Sequence, residues 1–318
     1  MTKQIEDSLE KIPILRPLVR LGKKVELPAL EGITLYDIIE LYIIGIVKGA
    51  LTSRAGGIAF SFFMALFPFL LFILTLIPYV PIDNFQTDFL VMIERILPPN
   101  TWQAVDEVIQ DIANNRYSGL LSFGFIASIF LMTNGVNAIL GGFEYSYHIE
   151  IMRNVVKQYF ISMIMAFVLS FILLFAVVVA IYFEIGIANL KYQGWLADEV
   201  YWVEISRYII FLLLIFVSVS FLYRYGSKEV KYRYFVTPGS IFTTVLAAIM
   251  FKVFAIYVTK FSTYNELYGS IGTLLILMLF VWINSIILLL GFELNASYYR
   301  LKRLHLIKEF GKEKPLEL

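Results

Sequence analysis

The stretch SIGTLLILMLFVWINSIILLLGFELNA, residues 270–296, decides the fold. From Ile271 to Gly291 no side chain is charged. At a rise of about 1.5 Å per residue, such a helix crosses the ~30 Å hydrocarbon layer of a bilayer. Five further stretches have the same character: Ile58–Val80, Leu120–Leu140, Tyr159–Tyr182, Tyr208–Tyr225 and Ile241–Val258. The whole chain agrees, being 59% hydrophobic and only 16% charged, where a soluble domain carries about 25% charge. The expected fold class is therefore all-α: a polytopic membrane protein of six transmembrane helices.

Charge placement sets the orientation. Twenty Lys and Arg residues fall on one side of the alternating spans and five on the other, with Lys252 inside the fifth span. The rich side holds the N-terminal segment, the loops after the second and fourth spans, and the C-terminal tail. The positive-inside rule then places both termini in the cytoplasm. The opening MTKQIEDSLEKIPILRPLVR does not read as a cleaved signal peptide.

Ahead of the first span, ITLYDIIELYIIGIVKGAL (residues 33–51) is apolar but interrupted by Asp37, Glu40 and Lys48. It reads as an amphipathic helix on the cytoplasmic interface. A seventh span is the competing reading, and it would spoil the charge alternation. The organisation expected is a cytoplasmic segment 1–54, a membrane domain 55–296 and a basic tail 297–318. The loop 81–118 is split by Pro98-Pro99 and patterned for two short capping helices. Trp195 and Trp202 suit an interfacial aromatic belt.

Polar side chains inside the spans are the candidate functional residues, because hydrocarbon does not solvate them. On the first span Arg54, Gly57, Ser61, Ala65 and Pro68 form one stripe. Small residues there admit a close neighbour, and Pro68 removes a backbone donor. The stripe suits either a packing seam or a cavity wall. On the second, Asn134, Asn137, Gly141, Glu144 and His148 lie within about 80° of one another. On the sixth, Asn284, Gly291 and Asn295 share a face, with Glu293 roughly opposite. Arg54, Glu144 and Glu293 all fall at cytoplasmic helix ends, where the arginine has a choice of two carboxylates. Lys252 either snorkels outward, pairs with Glu184, or meets a substrate.

Composition excludes several chemistries. There is no cysteine, and His148 and His305 are the only histidines. Disulfides, zinc-thiolate sites and thiol nucleophiles are thus ruled out, and no metal or cofactor is expected. No GxxxxGK[ST] phosphate cradle occurs. The basic residues suit topology and anionic lipid, so nucleic acid is not an expected partner.

Three stretches resemble the YihY/BrkB family of bacterial inner-membrane proteins, once labelled ribonuclease BN. They are AGGIAFSFFMALFPFLL (55–71), NGVNAILGGFEYSY (134–147) and YGSIGTLLILMLFVWINSIILLLGFELNA (268–296), the last preceded by FAIYVTKFSTYNELYG. Tyr145 and Phe292 depart from the pattern, standing where a tryptophan-like aromatic and an alanine are expected. The resemblance implies a six-helix fold in the cytoplasmic membrane and no settled activity; members have been linked to envelope integrity, serum resistance, and lipid or ion transport. The expected function is a transporter or lipid-handling protein contributing to envelope integrity, with membrane lipids as partners and a lipid or small amphiphilic or ionic substrate. A non-transporting scaffold is the alternative. The candidate cavity or gate comprises Arg54, Ser61, Pro68, Asn134, Asn137, Glu144, Lys252, Asn284, Glu293 and Asn295.

Overall fold

The computed structural model describes residues 26–27, 30–79, 117–192, 202–229, 235–260 and 270–310, with a few positions between 87 and 115. Most of loop 81–118, where the sequence expects two capping helices, and Trp195 lie outside the described residues. Among the described residues seven α-helices carry the fold: α1 (Leu35–Lys48), α2 (Leu51–Leu76), α3 (Ser118–Glu144), α4 (Val155–Tyr192), α5 (Trp202–Gly226), α6 (Pro238–Lys260) and α7 (Ser270–Phe310). A short antiparallel hairpin precedes them, β1 (Glu26–Leu27) with β2 (Leu30–Thr34). This hairpin is an addition to the all-helical expectation. It is too short for a period-two pattern to show in the sequence.

Helices α3 to α7 each contain a stretch long and apolar enough to cross a membrane. The α1–α2 pair passes as a sixth, bent by 63°. The bend lies at Gly49-Ala50, where Ala50 has φ 47°, in the left-handed region that side chains with a Cβ seldom adopt. At 14 residues α1 measures about 21 Å, short of a bilayer crossing, whereas the 26 residues of α2 reach about 39 Å.

Local chemistry fixes the helix starts. The Thr34 hydroxyl accepts from Asp37 N at 3.4 Å, and the Asp37 carboxylate accepts from Thr34 N at 2.8 Å. This reciprocal capping box opens α1. The same device opens α6, where Ser240 N donates to Thr237 Oγ1 at 3.1 Å and Thr237 N to Ser240 Oγ at 3.0 Å. Pro238 takes the first helical position, where its missing N–H costs nothing.

The packing order forms a ring. Each of α2 to α7 lies against the next, α7 returns to α2, and α1 rests on α7. Most of the fully buried side chains gather at one end of this ring, where α2, α4 and α6 begin and α3 and α5 finish. Leu140, Phe143, Tyr223, Leu289 and Phe292 form its centre, with Phe143 stacked on Phe292 at 4.2 Å between centroids. Arg54, Arg153, Lys157, Arg224 and Lys228 lie at the same end, so we call it the basic end. Helix α7 continues past residue 296 to Phe310, carrying Arg300, Lys302 and Arg303 beyond the core. At 41 residues it is about 62 Å long, twice a bilayer's hydrocarbon.

Candidate functional site

At the basic end the chain buries two ion pairs. Arg54 on α2 reaches Glu293 on α7, with Nη2 2.5 Å from Oε1. Its Nη1 donates to the Gly142 carbonyl on α3 at 2.7 Å. The other Glu293 oxygen accepts from Ser146 Oγ at 2.8 Å. Glu293 is 0% exposed and Arg54 7%, so neither charge is solvated by water. Removing one partner of such a pair strands the other, at a cost of about 3–5 kcal/mol. This single group of contacts ties α2, α3, α7 and the turn after α3 together.

The second pair joins Glu144, at the end of α3, to Arg153, with 3.4 Å between Oε1 and Nη1. Arg153 also donates to the carbonyls of Gly226 at 2.6 Å and Tyr225 at 2.9 Å. It thereby caps the C-terminus of α5, where a cation meets the negative end of the helix dipole. Burial holds its guanidinium pKa below the ordinary value, and Glu144 works against that. Glu144 Oε2 accepts from Arg153 N at 3.0 Å. With its amide turned to suit its neighbours, Gln158 donates to the same oxygen at 2.9 Å.

Helix α1 sits on this charged cluster through two glycines. A Cβ on Gly45 would fall within 2.9 Å of Glu293 Oε2 and 2.7 Å of His148 Nε2. One on Gly49 would meet Arg54 Nη2 at 2.9 Å. His148 is buried, its Nε2 donating to the Leu41 carbonyl at 2.9 Å and its Nδ1 facing Arg300 Nη1 at 3.5 Å. A carbonyl only accepts, so the proton resides on Nε2. Burial lowers the His148 pKa from its ordinary 6.5, with Arg300 adding to that and the Leu41 carbonyl and Glu293 opposing.

Beside the cluster lies a pocket of about 540 Å³ between α2, α3 and α4. Arg54, Gly57 and Ser61 line it from α2, Asn137 and Glu144 from α3, and Arg153 from the segment before α4. Thus the structure brings together four of the sequence's candidates: Arg54, Ser61, Asn137 and Glu144. Glu293 stands behind Arg54. The α2 stripe presents Gly57 to open space, with nothing within 4 Å of an added Cβ. Close packing uses instead the neighbouring stripe of Ala55, Ile58 and Ala59.

The other candidates lie elsewhere. Asn295 receives Gly239 N at 2.8 Å and donates to Thr237 Oγ1 at 2.9 Å, docking α7 onto the start of α6. Asn284 donates to the Phe280 carbonyl of its own helix at 2.8 Å. Asn134 and Pro68 are half-buried on α3 and α2. Lys252 is exposed on α6, and the side chain of Glu184, its suggested partner, lies outside the described residues. Sequence reasoning missed Ser146, Gln158 and Tyr223. The Tyr223 hydroxyl lies buried 2.6 Å from both Thr243 Oγ1 and the Leu288 carbonyl. It also missed Gly45 and Gly49, although their small-xxx-small spacing is the recurrent signal for close helix approach.

Apolar helices of spanning length, arranged in a ring around buried ion pairs, define a polytopic α-helical membrane protein in contact with membrane lipids. The chain belongs to the virulence factor BrkB family, whose model matches residues 45–314. It is 32% identical over 256 residues to the ribonuclease-like protein YfkH of Bacillus subtilis, covering 79% of this chain and 91% of that one. It is 30% identical over 112 residues to a UPF0761 membrane protein of Idiomarina loihiensis, covering 34% of this chain and 36% of that one. A UPF0761 membrane protein of Pseudoalteromonas translucida is 37% identical over 59 residues, 19% of this chain and 20% of that one. No solved structure matches.

Proposed function

We propose that this protein is a transporter or lipid-handling protein of the bacterial inner membrane that contributes to envelope integrity. Its basic end faces the cytoplasm, a reading the distribution of Lys and Arg supports. In this reading Arg54, Glu293, Ser146 and the overlying α1 form a cytoplasmic gate. The observation that carries the proposal is the juxtaposition of a fully buried ion pair with a polar pocket that shares Arg54. A residue that both closes the bundle and lines a pocket lets occupancy of one bear on the state of the other. A purely structural clamp has no need of the pocket.

The protein is read as non-enzymatic. Among the described residues no three His, Asp or Glu side chains converge to hold a metal ion, and the buried carboxylates are each engaged by arginine. The word ribonuclease-like belongs to the Bacillus subtilis relative's name and has no counterpart in this site.

Reconstitution tests the reading. Purified protein in vesicles should accelerate the trans-bilayer movement of a fluorescent phospholipid over protein-free vesicles. Glu293→Gln, which keeps the shape but weakens the clamp, should change that rate by about tenfold, the weight of one charged hydrogen bond. Folded wild type and variant that both match empty vesicles would remove the transporter reading in favour of the scaffold.

A further inference from the structure

Two residues that line the pocket between α2, α3 and α4 each hold an unmatched polar atom, and the two atoms are of opposite kind. Arg54 Nε and Glu144 Oε1 are both buried, and neither has a hydrogen-bond partner among the described residues. The nearest cation to Glu144 Oε1, Arg153 Nη1 at 3.4 Å, neutralises it without completing a hydrogen bond. Both residues line the pocket and both are more than nine-tenths buried. An orphaned guanidinium N–H calls for an anionic acceptor, and an orphaned carboxylate oxygen calls for a donor, each costly to leave unmatched. Ser61 and Asn137 add neutral hydrogen-bonding side chains to the lining.

The pocket's position identifies the kind of molecule. Gly141 and Tyr145 line it, and they fall on the side of α3 opposite Leu140 and Phe143, the core-facing residues. The pocket therefore opens away from the centre of the ring, toward the surroundings of the bundle. On α2 the stripe of Arg54, Gly57 and Ser61 is followed, within about 60° of the same face, by Met64, which is 45% exposed. Moving from the basic end along α2, polar lining gives way to open apolar surface. That gradient matches a molecule with a charged head and a greasy tail. The volume of about 540 Å³ is ample for a headgroup and falls within the usual ~300–1,000 Å³ of ligand pockets.

We propose that this pocket binds the headgroup of an amine-bearing phospholipid from the leaflet at the basic end, with phosphate on Arg54 and ammonium on Glu144. The proposal deepens the lipid-handling reading by naming the class of lipid, and it rests on that reading's assignment of this end to the cytoplasm. A choline head has no N–H to give Glu144, and a glycerol head has no cation.

Native mass spectrometry of the full-length protein tests this. The protein is released from micelles containing equal phosphatidylethanolamine, phosphatidylglycerol and phosphatidylcholine with the same acyl chains. Wild type should retain phosphatidylethanolamine about tenfold over either competitor, one charge-assisted hydrogen bond's worth. Gly57→Leu grows into open space and should abolish retention without lowering thermal stability. Glu144→Gln should erase the preference over phosphatidylcholine. Equal retention of all three lipids, or an unchanged profile in Gly57→Leu, overturns the proposal. So does displacement by an equal concentration of water-soluble glycerophosphoethanolamine, which would assign the site to a soluble phosphodiester. Retention without lipid movement in vesicles would leave the pocket standing and remove the transporter reading; movement without retention would do the reverse.

Discussion

At the scale of single residues, the site is governed by charges that have no water to fall back on. Arg54, Glu293, Glu144 and Arg153 are each buried against an opposite charge and further hydrogen bonds. His148 is the titratable neighbour held neutral. Burial lowers its pKa, so the unfolded chain binds a proton more readily than the folded one as pH falls below the ordinary value. Stability is then full above about pH 6.5 and declines on acidification, by at most about 1.4 kcal/mol per pH unit for one proton. Thermal unfolding at pH 7.5 and 5.5 should show this loss in wild type and a smaller one in His148→Gln. An equal loss in both would show that the histidine is not the group responsible. The sequence made Arg54, Glu144 and Glu293 legible as a group at one end of the bundle, because charges are scarce in spans and helical arithmetic gives their depth. It did not reveal which carboxylate takes which arginine. That depends on how α7 is rotated against α2, and on Arg153 lying in the short segment between α3 and α4, where no helical period applies.

Between elements, α6 and α7 approach closely at two glycines. A Cβ on Gly239 would collide with the Gly291 carbonyl and the Asn295 side chain, and one on Gly291 with Thr243 Oγ1 and the Tyr223 hydroxyl. Backbone-to-backbone contact of this kind leaves no flexible atom to give way. Gly239→Ala and Gly291→Ala should each cost about 1–3 kcal/mol or more in unfolding free energy. Gly57→Ala, facing open space, should be neutral or stabilising by up to about 1 kcal/mol through reduced backbone entropy. Unfolding curves in detergent compare the three directly; indistinguishable curves would contradict the α6–α7 crossing. The existence and order of these helices was legible from hydrophobic runs alone. Their lengths were not. Helices α4 and α7 continue well past their apolar cores, because amphipathic turns outside the bilayer keep the helix going after the apolar signal has stopped. The α1–α2 bend was only half legible: Gly49 marks a break, but the 63° angle is set by α1 seating its glycines on Glu293, His148 and Arg54.

For the molecule as a whole, the ring is tied at one end. The ion pairs, the Phe143–Phe292 stack, the Asn295 contacts with α6 and the α1 cover all lie at the basic end. Sequence composition foretold a membrane bundle but not this asymmetry, since a run of leucines reads the same whether it faces lipid, a neighbour or a cavity. The gate and the leaflet from which the pocket draws its ligand both depend on the basic end facing the cytoplasm. The natural absence of cysteine makes single-cysteine labelling in intact cells the direct measurement. An impermeant maleimide added from outside should label Arg207→Cys, near the start of α5, and should leave Lys302→Cys untouched until the membrane is permeabilised. Labelling of Lys302→Cys in intact cells, with Arg207→Cys protected, would contradict the account.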